Sequence, residues 1–66
     1  CKICSDLGNG VHFGVVTCEG CKKFYRRALH EHRTYVCKLE GKCIINPQTR
    51  NSCRYCRYEK CKLLGM

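Results

Sequence analysis

Nine of the 66 residues are cysteine, and their spacing limits what this chain can fold into more than any other feature. They fall as Cys1-x2-Cys4, Cys18-x2-Cys21, Cys37-x5-Cys43, Cys53-x2-Cys56 and a single Cys61. A short chain with this many cysteines is knit by disulfides or by metal. The count is odd, so a disulfide scheme leaves one thiol over. Long intervals between the pairs also fit an iron–sulfur cluster poorly. A C-x2-C turn aims two sulfurs at one centre, and Zn2+ takes four such ligands in a tetrahedron. Two C-x2-C pairs 13 residues apart make one Cys4 site from Cys1, Cys4, Cys18 and Cys21. Cys37, Cys43, Cys53 and Cys56 make a second. Thiolates fill every position, so both sites read as structural zinc and no ligand place is left for a catalytic water. Cys61 lies five residues past Cys56 and reads as a small buried apolar residue.

Metal is also what a chain of this size needs. A domain this short buries only ~60% of its unfolded surface and is marginal without staples. The apolar supply is thin: two Phe, no Trp, and much of the 44% hydrophobic content is cysteine. The longest apolar runs are two residues, as in Val15-Val16, so nothing resembles a signal peptide or membrane span. The abrupt opening at Cys1 reads as a piece of something longer. Formal charge is +8. Eight thiolates on two Zn2+ bring the net to +4, so overall charge argues only modestly for a nucleic-acid partner.

Turn residues organise the rest. Leu7-Gly8-Asn9-Gly10 reads as a turn, and Val11 to Thr17 as short irregular strand broken by Gly14. Cys18 to about His30 lacks proline and reads as a first helix. Arg33 to Cys43 reads as loop with a turn at Gly41, and Asn46-Pro47 as a further turn. Ser52 is the expected N-cap of a second helix over 53–64, stopped by Gly65. Each half of the chain thus has two cysteines, a loop, and a C-x2-C pair opening a helix. The boundary between the two modules falls at 36/37, within one domain spanning 1–66.

On the α-helical period, Glu19, Lys22, Lys23, Arg26 and His30 lie within about 60° of one line, with Arg27 at the edge. Cys21, Phe24, Tyr25 and Ala28 take the opposite side. A charged helix face is usually just solvated. This one is nearly single-signed, has no i,i+4 Glu–Lys ladder, and puts Lys22 and Lys23 where cations oppose the helix dipole. Such a face suits a major groove, where Lys and Arg donate to guanine O6/N7 and Glu accepts from cytosine N4. The alternative is a zinc-stabilised protein-interaction module, which has no need of that basic cluster. A zinc enzyme fits worst, since no His or carboxylate stands near the cysteine clusters as a general base.

The run Cys18-Glu19-Gly20-Cys21-Lys22-Lys23-Phe24-Tyr25-Arg26-Arg27 resembles the recognition helix of nuclear hormone receptors. His12-Phe13-Gly14-Val15, Cys53-Arg54-Tyr55-Cys56-Arg57, Lys60-Cys61 and Gly65-Met66 resemble the same family, and all nine cysteines match its spacing. The resemblance implies a small zinc-stabilised, α-rich domain with two Cys4 modules merged, two roughly perpendicular helices and little strand. It implies sequence-specific binding of double-stranded DNA in the nucleus, in transcription regulation, through an AGGTCA-like half-site. Glu19, Lys22 and Arg27 match positions that read base edges, with Gly20 and Lys23 at variable selectivity positions beside them. His12, Phe13, Arg26, Tyr35, Arg50 and Arg57 match phosphate contacts. Lys38, Leu39, Glu40, Gly41 and Lys42 match a loop that joins a second copy or another nuclear receptor on DNA. No small-molecule ligand, membrane or catalysis is expected of this segment. The chain departs from the family at Phe13, which lacks a tyrosine's hydroxyl, and at Tyr25, Lys23, Asn51 and Glu59.

Overall fold

The computed structural model describes all residues, 1–66. Strands β1 (Val11–His12) and β2 (Val15–Val16) pair antiparallel, with Val11 opposite Val16 and His12 opposite Val15. Gly14, expected to break a strand, instead helps turn a hairpin. Phe13 and Gly14 occupy the two turn positions at φ 54° and 85°, and a tight two-residue hairpin turn needs positive φ at both. The hairpin is tied to the first C-x2-C loop by the Lys2 N–H donating to the Val16 carbonyl at 2.9 Å.

Helix α1 spans Glu19–Glu31 and α2 spans Arg54–Leu63. Each is capped by a cysteine: the Cys18 Sγ accepts from the Cys21 N–H, and the Cys53 Sγ from the Cys56 N–H, both at 3.4 Å. The expected cap at Ser52 is therefore displaced by one residue. The Cys53 thiolate, drawn to the metal, takes the position that satisfies the Cys56 N–H, which leaves Ser52 one residue outside the helix start. Helix α1 runs into a single 3-10 turn, His32–Thr34, inside a stretch on whose edge only loop was expected. At the far end of α2, Met66 N–H donates to the Cys61 carbonyl and Gly65 N–H to that of Lys62, each at 3.1 Å, with Gly65 at φ 102°. This is a Schellman stop, and it uses Gly65 as the sequence suggests.

The faces of α1 sort as its period predicts: Cys21, Phe24, Tyr25 and Ala28 are buried. From α2 come Cys56, Arg57, Tyr58 and Cys61. The two helices meet through aromatic rings. Tyr25 stacks on Tyr58 at 6.0 Å and Phe24 on Tyr35 at 6.0 Å, while Tyr35 meets Tyr58 edge-on at 6.5 Å. Ile3, Ala28 and Cys61 are fully buried beside them. Cys61 is thus the small core residue its position suggested, and burial pushes its thiol up to about 11.

Candidate metal centres and nucleic-acid face

The sulfurs of Cys1, Cys4, Cys18 and Cys21 all lie within 4.8 Å of one another, as do those of Cys37, Cys43, Cys53 and Cys56. Metal–sulfur bonds of about 2.3 Å in a regular tetrahedron put neighbouring sulfurs about 3.8 Å apart. Cys4–Cys18 and Cys37–Cys43 are at 3.7 Å and Cys37–Cys56 at 3.5 Å, close to that edge length. All eight are free thiols. The donor set is four soft sulfurs at each centre, so the two clusters are positioned to bind two structural Zn2+ ions.

Donors that favour thiolates surround both clusters. The Cys1 Sγ accepts from the Ile3 N–H at 3.4 Å and the Cys4 N–H at 3.5 Å. The Leu39 and Gly41 N–H groups point at Cys37 from 3.3 and 3.2 Å. Led by the Leu39 N–H, they hold the Cys37 thiol down at about 6. Burial opposes ionisation of Cys4, yet the Asp6 backbone, Arg50 and neighbouring sulfurs bring it below the usual thiol value. Desolvation pushes Cys21 and Cys43 up to about 12 without metal. A bound cation reverses that balance, because a coordinating thiol is deprotonated outright.

The first centre fixes the start of α1 and so orients its outer face. Glu19, Lys23, Arg26, Arg27 and His30 are exposed there and Lys22 is half-buried. Lys23, Arg26, Arg27 and His30 border one shallow recess. The face is less single-signed than its period suggested, since Lys22 Nζ lies 3.5 Å from Glu19 Oε1, an i,i+3 pair. Asn9 adds a second hold: its Nδ2 donates to Glu19 Oε2 at 3.2 Å, while His12 Nε2 lies 2.9 Å from Asn9 Oδ1. The Asn9 hydrogen bond, followed by the Lys22 charge, keeps the Glu19 carboxyl below the ordinary glutamate value.

The other sequence-selected residues divide by burial. Arg26 is exposed, His12 half-buried, and Phe13, 44% exposed, packs its ring 4.9 Å from Tyr25. Tyr35 is buried, and its hydroxyl has no hydrogen-bond partner within the chain. Arg50 is half-buried, with Nη1 3.0 Å from Asp6 Oδ2 and 3.3 Å from the Cys4 Sγ. Arg57 is only 5% exposed. Its Nη2 donates to the Cys21 Sγ at 3.2 Å, its Nη1 to Asn51 Oδ1 at 3.1 Å, and its guanidinium lies 4.5 Å from the Phe24 ring centroid. Asn51, a departure from the family pattern, therefore has a use as the acceptor that orients Arg57. Glu59, another departure, pairs with Lys62 at 2.9 Å.

Arg54 was missed from sequence. It is exposed, one turn before Arg57 on α2, and shares a recess with Arg27, Glu31, Asn51 and Arg57. The i,i+3 spacing of the two arginines was the available signal. Lys38, Leu39, Glu40 and Lys42 are exposed on a turn closed by the Lys42 N–H on the Leu39 carbonyl at 3.3 Å, with Glu40 and Gly41 both at positive φ.

Residues 1–66 match the family described as the C4-type double treble clef zinc finger. The whole chain aligns at 50% identity over 68 residues with thyroid hormone receptor beta-B of Xenopus laevis. It aligns at 48% over 66 residues with human nuclear receptor ROR-beta and with the ultraspiracle homolog of Manduca sexta. It spans 16% of the first of these relatives and 14% of the other two. Two Cys4 clusters of tetrahedral dimension, each opening a helix, and identity near one half over the full chain place it by sequence and by geometry alike: the chain belongs to the C4-type double treble clef zinc fingers, the DNA-binding domain family of the nuclear receptors.

Proposed function

We propose that the zinc-loaded chain binds double-stranded DNA sequence-specifically, with α1 in the major groove of an AGGTCA-like half-site. The supporting observation is the outer face of exposed Glu19, Lys23, Arg26 and Arg27 with half-buried Lys22, set opposite a buried stripe and fixed at its start by the first Cys4 cluster. Helix α1 fits a groove about 12 Å wide, and only its first turns need reach base edges. Glu19 is held as an anion by Asn9 and Lys22, the state that accepts from cytosine N4. Lys22, Lys23 and Arg27 supply donors to guanine or neighbouring edges. Arg26, His12, Phe13, Tyr35, Arg50 and Arg57 flank phosphates.

The two modules, 1–36 and 37–66, divide the work: the first reads bases and the second braces the backbone. The exposed turn from Lys38 to Lys42 meets a second copy or another nuclear receptor on the DNA. The activity belongs to transcription regulation in the nucleus. Lys22→Ala and Arg27→Ala each weaken binding to an AGGTCA duplex by ~1–3 kcal/mol and flatten the preference over a scrambled duplex. Full affinity and preference in both variants would remove α1 as the reading element.

A further inference from the structure

Backbone N–H groups donate to sulfurs of both centres, but only the first also receives cationic side chains from elsewhere in the chain. In the second, Cys37 and Cys53 accept from backbone N–H groups of their own module: Leu39, Gly41 and Cys56. In the first, three of the four sulfurs receive a guanidinium from the other half of the chain. Arg50 Nη1 lies 3.3 Å from Cys4 Sγ and 3.6 Å from Cys18 Sγ, and Arg57 Nη2 lies 3.2 Å from Cys21 Sγ. These contacts span 46, 32 and 36 residues of sequence.

Both arginines are held in place by the segment that the second centre closes. Arg50 ends a turn in which its own N–H donates to the Asn46 carbonyl at 2.8 Å, and Thr49 Oγ1 anchors that turn to the Ile44 carbonyl at 2.6 Å. Arg57 directly follows the ligand Cys56 and is aimed by Asn51. Four thiolates on Zn2+ carry two net negative charges, and buried charge of that kind is costly unless it is paired. Two guanidiniums offset most of it, Arg50 also pairing with Asp6 at 3.0 Å. Losing a donor to a metal-bound ligand typically costs roughly 10–100-fold in metal affinity.

We propose that Arg50 and Arg57 couple the two zinc centres, the second metal fixing the segment whose guanidiniums stabilise the thiolates of the first. Such coupling is reciprocal, so metal at either centre raises affinity at the other by the same factor. Arg50 and Arg57 then act as positioning and charge-balancing residues for the metal, separately from any contact with phosphate.

The test needs no DNA. Cadmium is loaded in place of zinc, each Cys4 centre is followed by its own cadmium NMR resonance, and a chelator is titrated in. Arg50→Gln with Arg57→Gln weakens first-centre loading by roughly 10–100-fold. Arg50→Gln alone, at the less buried position, gives a smaller loss in the same direction. Cys43→Ala with Cys53→Ala, which removes the second centre, weakens the first by a comparable factor. Adding the arginine changes to that background costs nothing more. Arg33→Gln, an exposed charge far from both clusters in role, leaves both resonances as they were. First-centre affinity unchanged in the arginine variants overturns the proposal. So does a full arginine effect that persists after the second centre is gone, since the arginines would then act without it.

Discussion

Replacing Phe24 perturbs the core and the first metal centre through a single side chain. The ring is 2% exposed, stacks 6.0 Å from Tyr35 and carries the Arg57 guanidinium at 4.5 Å. Phe24→Leu keeps most of the apolar volume and forfeits the two ring-specific contributions. Stacking contributes ~0.5–1.5 kcal/mol and a desolvated cation–π contact ~1–2 kcal/mol. The expected loss is therefore about 1.5–3.5 kcal/mol. Phe24→Ala adds a cavity and reaches ~3–5 kcal/mol. A domain of this length has roughly 3–10 kcal/mol of stability in all, so the alanine variant forfeits from about a third to all of it. Thermal unfolding followed by circular dichroism at fixed excess zinc reads the difference. At about 4–8 °C per kcal/mol for a domain this small, Phe24→Leu lowers Tm by roughly 6–28 °C. A double-mutant cycle with Arg57→Gln should return the cation–π part as a coupling energy. A Phe24→Leu shift under about 3 °C, or a cycle with no coupling, would refute the reasoning that this ring ties Arg57 to the core.

Metal removal is the broader perturbation: chelation should release two Zn2+ per chain and abolish the helical circular dichroism, and a native spectrum without metal would contradict the role given to both clusters. Acid should do the same. Zinc needs thiolates, and the ordinary thiols of the metal-free, unfolded chain hold their protons below about 8.5, so affinity rises with pH and is lost as pH falls; affinity flat from pH 8 to 5 would be the wrong sign. Cys61→Ala should keep both metals and cost about 1 kcal/mol, whereas Cys56→Ala should lose the second, as metal titration would show.

Much of the fold was readable from the cysteines, because a tetrahedral metal imposes geometry that spacing alone reveals. The helical period sorted α1 correctly down to Ala28 inside and Arg26 outside. Local rules erred where a ligand took over a backbone role. Ser52 looked like a cap, but Cys53 does the capping because its sulfur must be there for the metal. Gly14 looked like a strand break, yet with Phe13 also at positive φ it makes a hairpin turn. Contacts between the halves left no trace in any window. The guanidiniums of Arg50 and Arg57 lie on sulfurs more than thirty residues away, and Asn51 orients Arg57 across one helix start. Asn9, which steadies Glu19 from the loop before the hairpin, read only as turn chemistry.

Selection from a random library of duplexes with the zinc-loaded chain tests DNA reading most directly. The bound pool should converge on an AGGTCA-like hexamer, and Lys22→Ala with Arg27→Ala should erase that convergence while leaving the two metals in place. Binding should also fall steeply with salt as phosphate contacts release counterions. A zinc-saturated, folded chain that enriches no hexamer at low salt would contradict the assignment of α1 as a reader of DNA.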